Sequence, residues 1–181
     1  MKVGLLVCGA PGVGKTTHLS EMLKYAKLSG PFENIDPDKL EHESHEKRGK
    51  IAIEHVYSAI EKGQNFVYTV TCGATKRMKK IIDMMKHKKY KVILSITYAS
   101  SHTALRRVLA RTEQPVPEDI AKELYQYFKR HAAYYMTLPE IDDIFLYDNE
   151  SEFTLILHKH KKKITCNHLS DFYFDISEYC S

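Results

Sequence analysis

A chain of 181 residues suits one domain, with length enough to bury a proper core. At 43% hydrophobic and 28% charged residues it has an ordinary globular composition, and no apolar run reaches the roughly 18–20 residues of a membrane span. The formal net charge of +4 suits a protein that handles phosphate and does not by itself argue for nucleic acid.

Val3, Leu5, Leu6 and Val7 predict a short buried strand starting almost at the N-terminus, so no signal peptide is expected to precede it. Directly after it, Gly9-Ala10-Pro11-Gly12-Val13-Gly14-Lys15-Thr16 matches G-x-x-x-x-G-K-[ST] without a gap. Leu19, Met22, Leu23 and Ala26 follow at helical spacing. Strand, glycine loop and helix together are the setting of a phosphate-binding P-loop. Its backbone N–H groups converge on an anion at a helix N-terminus. Gly9, Pro11, Gly12, Val13, Gly14, Lys15, Thr16 and Thr17 are therefore the expected nucleotide contacts. Lys15 brings a point charge to the β- and γ-phosphates, and the Thr16 hydroxyl is placed to ligate Mg2+.

Ser29-Gly30-Pro31 breaks the first helix, and Phe32 to Ile35 predicts a second strand ending in Asp36-Pro37-Asp38. In an open parallel sheet that edge holds the ligands, and a carboxylate there can take the proton of an attacking hydroxyl; a plain Asp-Pro turn is the other reading. A long helix follows, with Ile51, Ala52, Val56, Ala59 and Ile60 on one stripe and a charged, solvated first part from Glu41 to Lys50. Gly63 closes it, and Asn65 to Thr71 is a third strand. Thr75 is expected to cap a helix whose Met78, Ile81, Ile82 and Met85 face the core.

Tyr90 to Tyr98 is the fourth strand, and Ser100 or Ser101 caps the helix carrying Leu105, Val108 and Leu109. On that helix Arg107 and Arg111 are spaced i, i+4, on one face, and can neutralise charge developing in phosphoryl transfer; a solvated basic face explains most such pairs. The sequence breaks at Gln114-Pro115-Val116-Pro117, and Pro117, Glu118 and Asp119 open a further helix through Ile120, Leu124, Tyr127 and Phe128. Ile144 to Tyr147 is a fifth strand, and Tyr147-Asp148-Asn149 at its end is either a place to cradle a base, with Asn149 the expected contact, or a simple turn. Phe153 to Leu157 adds an edge-like strand, and Phe172, Phe174 and Ile176 alternate as in a strand that packs the C-terminal tail.

The expected architecture is α/β: a three-layer P-loop NTPase fold with a five-stranded parallel sheet, kinase-like strand order and helices on both faces. Residues 1–157 form the domain with a short helical lid at about 101–118, and a basic segment and tail over 158–181 pack on it. Cys8, Cys72, Cys166 and Cys180 show no C-x-x-C pair or framework spacing, which predicts free thiols in a reducing cytoplasm. His158, His160, Cys166 and His168 are ligand types in an order that fits no familiar zinc spacing. The run Lys159-His160-Lys161-Lys162-Lys163 is either a solvated face or a track for a nucleic-acid backbone.

In order, G-A-P-G-V-G-K-T, I-D-P-D, G-Q-N-F-V-Y-T-V-T, A-L-R-R-V-L-A-R…V-P-E-D-I and Y-D-N resemble the zeta-toxin family of P-loop kinases over residues 1–157. The layout is also similar to the kinase domain of polynucleotide 5'-kinases. The resemblance implies ATP and Mg2+ as cofactors, with Lys15 and Thr16 on phosphate and metal, Asp36 beside the metal, Asp38 as general base, and Arg107 and Arg111 as lid arginines. The implied acceptor is a hydroxyl of a nucleotide sugar or nucleotide-like molecule. A 5'-hydroxyl of nucleic acid, or a nucleotide-binding module with little transfer, are the alternatives; a guanine-reading N-K-x-D is missing, which disfavours a GTPase switch. A toxin role would need a neutralising protein partner. Three positions depart from the family pattern: Glu41 stands where an arginine is usual, Tyr68-Thr69-Val70-Thr71 lacks the usual acid, and Thr112-Glu113-Gln114 replaces lid glycines.

Overall fold

The computed structural model describes residues 1–41, 44–112, 116–167 and 170–180, together with the backbone but not the side chain of His45. The expected break at Gln114-Pro115, the Glu113-Gln114 part of the lid, positions 42 and 43 of the charged stretch and the candidate ligand His168 lie outside the described residues.

Apolar strands that are buried on both faces need helices above and below, and this chain supplies them by alternation. The strands are β1 (Lys2–Cys8), β2 (Glu33–Ile35), β3 (Phe66–Val70), β4 (Tyr90–Tyr98), β5 (Asp143–Asp148), β6 (Thr154–His160) and β7 (Lys163–Cys166). The helices are α1 (Leu19–Tyr25), α2 (His45–Lys62), α3 (Thr75–His87), α4 (Ser101–Leu109) and α5 (Glu118–His131). The sheet runs β2-β3-β1-β4-β5-β6-β7. The first five strands are mutually parallel, in the strand order expected.

The sheet does not stop at five strands. β6 pairs antiparallel with β5, and β7 antiparallel with β6, so the expected edge strand is internal and β7 takes the edge. The basic run forms the hairpin between them. Lys161, at φ 54°, turns the chain. His160 pairs with Asp143 at the start of β5, which puts this hairpin at the end of the sheet opposite the C-terminal ends of the parallel strands.

The two faces are covered unequally. On one, Val3, Leu5, Val7, Val67, Ile93 and Phe145 meet Met22 and Ala26 of the α1 segment. On the other, a larger core joins Leu6, Phe66, Tyr68, Leu94 and Ile96 to residues of α2, α3, α5 and the tail. α3 begins at Thr75 itself after an Ala74 N-cap with no side-chain bond, whereas the Ser100 hydroxyl does cap α4, accepting from Thr103 N–H at 3.2 Å. The tail packs, but not as a strand: Ile176 is buried as expected, whereas Phe172 and Phe174 are only partly buried and Tyr173 between them is the buried residue.

The cysteines are paired, not free. Cys8 at the end of β1 is joined to Cys72 just past β3, and Cys166 at the end of β7 to Cys180 after the Ser177–Tyr179 turn. Neighbouring strand ends bring the first pair together across 64 residues, which spacing along the chain does not reveal. Cys166 is thereby removed as a metal ligand, and among the described residues no cluster of three or more His, Cys, Asp or Glu is placed to hold a metal. The inference from free thiols to a reducing compartment falls with them. No described helix is long and apolar enough to cross a membrane.

Candidate active site

All five parallel strands end at one edge, and the P-loop leaves β1 there. Gly12 lies at φ 82°, and a Cβ on it would stand 2.1 Å from the Ala104 carbonyl oxygen, so only glycine lets α4 rest on the loop. The Asn149 side-chain amide, buried behind the loop, donates to Val13 O at 2.8 Å. Its own N–H donates to Tyr98 O. Asn149 thus braces the P-loop from β5, rather than opening toward a base.

Lys15 extends over the loop, its ammonium donating to Gly9 O at 2.8 Å and Ala10 O at 2.9 Å. The residue is half-buried, with its ammonium held on these two loop carbonyls. Burial lowers its pKa from 10.5 to about 8; Asp38 opposes the fall, Arg111 adds to it, and Asp36 opposes it more weakly. Asp36, 5% exposed, accepts from the Thr16 hydroxyl at 3.2 Å through one oxygen and from Asp38 N–H at 3.0 Å through the other. A hydroxyl beside a buried carboxylate is a hard-oxygen pair of the kind that suits Mg2+, which takes one or two protein ligands and phosphate for the rest.

These groups open on one cavity of about 810 Å³. Pro11, Gly12, Gly14, Lys15, Thr16 and Thr17 form its floor, with Asp36 and Asp38 at one side. Arg111, Val116, Pro117, Ile120 and Leu124 form the wall from the α4–α5 segment. Arg107 is not among the lining residues. Its guanidinium donates to Asn149 O at 2.9 Å and Glu150 O at 3.2 Å. The i, i+4 expectation fails because α4 ends at Leu109, so Arg111 stands beyond the helix and the two side chains part. Gly9 and Val13 act from behind, through the loop backbone.

The cavity also holds residues that the sequence reading left out. Glu46, Arg48, Gly49 and Lys50 line it from the start of α2, the stretch expected to be merely solvated. Glu46 and Lys50 are ion-paired at 2.7 Å. Arg77, the third residue of α3, and Tyr68 of β3 complete it. Burial raises the Tyr68 phenol to about 12 against the pull of Arg77, so it stays protonated, a hydrogen-bond donor, at neutral pH. The position of Arg77, just after a parallel strand at the ligand edge, was the available signal.

A P-loop on β1, a Thr–Asp pair, a second acid and Arg111 on this strand order are the layout of the P-loop kinase class. The chain belongs to the zeta toxin family, whose sequence model matches residues 32–161. That match begins after the P-loop, so the loop is independent evidence. A search of curated proteins by sequence finds no match. Among solved structures, the AvrRxo1-ORF1:-ORF2 complex with ATP superposes with TM-score 0.71 at 15% identity, over 92% of this chain and 61% of that one. The chain therefore spans less than two thirds of that relative. The PezAT chromosomal toxin–antitoxin system of Streptococcus pneumoniae gives 0.71 at 18% identity, over 92% and 75% of the two chains. The Pnkp1/Rnl/Hen1 RNA repair complex gives 0.55 at 12% identity, over 72% and 45%. At these identities the likeness is one of fold.

Proposed function

We propose that this protein transfers the γ-phosphate of ATP to a hydroxyl of a nucleotide-sugar or nucleotide-like acceptor. The observation that carries the reading is the convergence of Lys15, the Thr16–Asp36 pair, Asp38 and Arg111 on one cavity. The P-loop amides and Lys15 bind the phosphates, and residues 101–118 serve as the lid. Asp38 accepts the proton as the acceptor oxygen bonds to the γ-phosphorus and the bond to the β,γ-bridging oxygen breaks, leaving ADP. Arg111 supplies positive charge where it develops on the transferring group. Thr16 and Asp36 would hold Mg2+, which when bound neutralises phosphate charge. Glu46, Arg48, Lys50 and Arg77 line the part of the cavity left to the acceptor, and cations there suit an acceptor that itself carries phosphate.

The test is transfer of labelled γ-phosphate to UDP-sugars, nucleosides and 5'-hydroxyl oligonucleotides, wild type beside Asp38→Asn. The amide keeps the shape but cannot take the proton, so product formation is expected to fall by roughly 10²–10⁴ with ATP binding retained. Undiminished product in the variant removes Asp38 from the mechanism. Product from oligonucleotides alone makes the protein a polynucleotide kinase. Bound ATP with no product from any acceptor makes it a binding module.

A further inference from the structure

The C-terminal tail lies beyond the stretch that the family model matches, yet one of its side chains enters the phosphate loop. Tyr173 is 4% exposed. Its hydroxyl accepts from Ala10 N–H at 3.2 Å and donates to Thr97 O, at the end of β4, at 2.8 Å. The ring is fixed among Tyr98, Tyr125, Phe128 and Phe172, with centroids 4.8–5.7 Å away. The Cys166–Cys180 bond closes the segment that carries it into a strap.

Ala10 N–H and Gly9 C=O belong to the same peptide unit, which is planar through amide resonance and trans, so the two groups point opposite ways. Tyr173 holds its N–H side, and the Lys15 ammonium rests on its C=O side. Gly9 is at φ 152°, where a Cβ would stand 2.8 Å from Thr97 O, so no side chain at this position helps to fix the peptide. Ala10 is fully buried, and without the phenol its N–H would be an unpaired donor free to seek another acceptor by rotating the peptide. That rotation would carry one of the lysine's two carbonyl partners, Gly9 O, away from the other, Ala10 O, which lies on the next peptide unit.

We propose that Tyr173 is a positioning residue of the nucleotide site: by fixing the Gly9–Ala10 peptide it sets where the Lys15 ammonium stands. The inference rests on the reading of the cavity as an ATP site. Because Lys15 serves the β- and γ-phosphates, the effect is specific to them.

The test compares Tyr173→Phe with wild type for binding of ATP and AMP, alone and in a Lys15→Ala background, with thermal denaturation to confirm folding. Loss of a correctly placed charge-assisted contact is expected to weaken ATP about tenfold while AMP stays within about twofold. In the Lys15→Ala background Tyr173→Phe is expected to add nothing. Equal weakening of ATP and AMP, or an undiminished effect without Lys15, makes the tail a scaffold and overturns the proposal. If Tyr173→Phe does not fold, Cys166→Ser with Cys180→Ser opens the strap with Tyr173 intact, and a smaller ATP-selective loss is expected; no selectivity overturns the proposal. Should wild type bind no nucleotide, the ATP reading fails, and the NMR resonance positions of the Ala10 amide and the Lys15 side chain at one fixed pH decide the inference separately. Lys15 resonances that move in Tyr173→Phe support positioning, and unmoved ones overturn it.

Discussion

Replacing Lys15 with methionine should make the protein more stable at neutral pH while weakening its grip on ATP. In the folded chain the Lys15 pKa stands at about 8 against an ordinary 10.5, with burial as the main cause. Between those values the unfolded chain holds more protons than the folded one, so stability rises with pH across the window from about 8 to about 10.5. Below pH 8 the buried charge is carried in full, at about 3 kcal/mol before allowance for the solvent that reaches a half-buried side chain. Methionine relieves that cost and keeps the aliphatic packing, but leaves Gly9 O and Ala10 O without their donor, a loss of about 1 kcal/mol. The net gain is about 1–2 kcal/mol, or about 3–6 °C in Tm for a chain of this size. The assay is thermal unfolding followed by circular dichroism at pH 7, 8, 9 and 10, without nucleotide, for wild type and Lys15→Met. The variant's advantage should be largest at pH 7 and shrink above pH 8, while ATP binding is weakened about ten- to a hundredfold throughout. A variant less stable at pH 7, or an advantage that does not change with pH, would refute the reasoning.

Arg111→Ala should lower kcat about a hundredfold with little change in ATP affinity, as expected for charge needed in the transfer itself. Arg107→Ala should instead leave kcat within a few-fold and cost about 1 kcal/mol of stability, because it loses only its bonds to Asn149 and Glu150 carbonyls; similar kcat losses in the two variants would contradict the geometry. Opening the Cys166–Cys180 bond by paired serine substitution should cost about 3 kcal/mol, the loop-closure entropy of a short ring, read as a fall in denaturation midpoint. Alkylation of the unfolded, unreduced protein should label none of the four cysteines, and labelling of all four would exclude both bonds.

The phosphate loop was legible because its chemistry is contiguous: eight neighbouring residues carry the glycines, the lysine and the hydroxyl. β1, β3 and β4 were legible for a similar reason, since each is a short apolar run followed by a helix-period stripe. What escaped depends on the third dimension. The charged start of α2 looks the same in sequence whether it faces water or a cavity. Arg107 and Arg111 satisfy i, i+4 only if the helix continues, and it ends between them. β6 was legible only as far as Leu157 and only as an edge, and β7 was hidden, because His158-Lys159-His160 and the lysines up to Lys163 read as a basic surface run and not as paired strands. In the tail the period-two pattern picked Phe172 and Phe174, whereas the segment is not a strand and buries Tyr173 between them.

The unequal covering of the sheet has a consequence for how the molecule opens. Among the described residues, the only helix contributing to the apolar cluster on one face is α1, a helix of seven residues. Such a segment is far too short to be helical alone, so packing holds it in place. It is also tethered at its start to the phosphate loop, where His18 stacks on Phe153 at 4.3 Å. α1 and the loop therefore form one cooperative unit for local opening, and a ligand seated in the loop draws that unit closed. Amides of α1 would then share a single hydrogen-exchange rate that slows as the loop is occupied, while the central strands, whose side chains alternate between both cores, exchange on their own, slower clock.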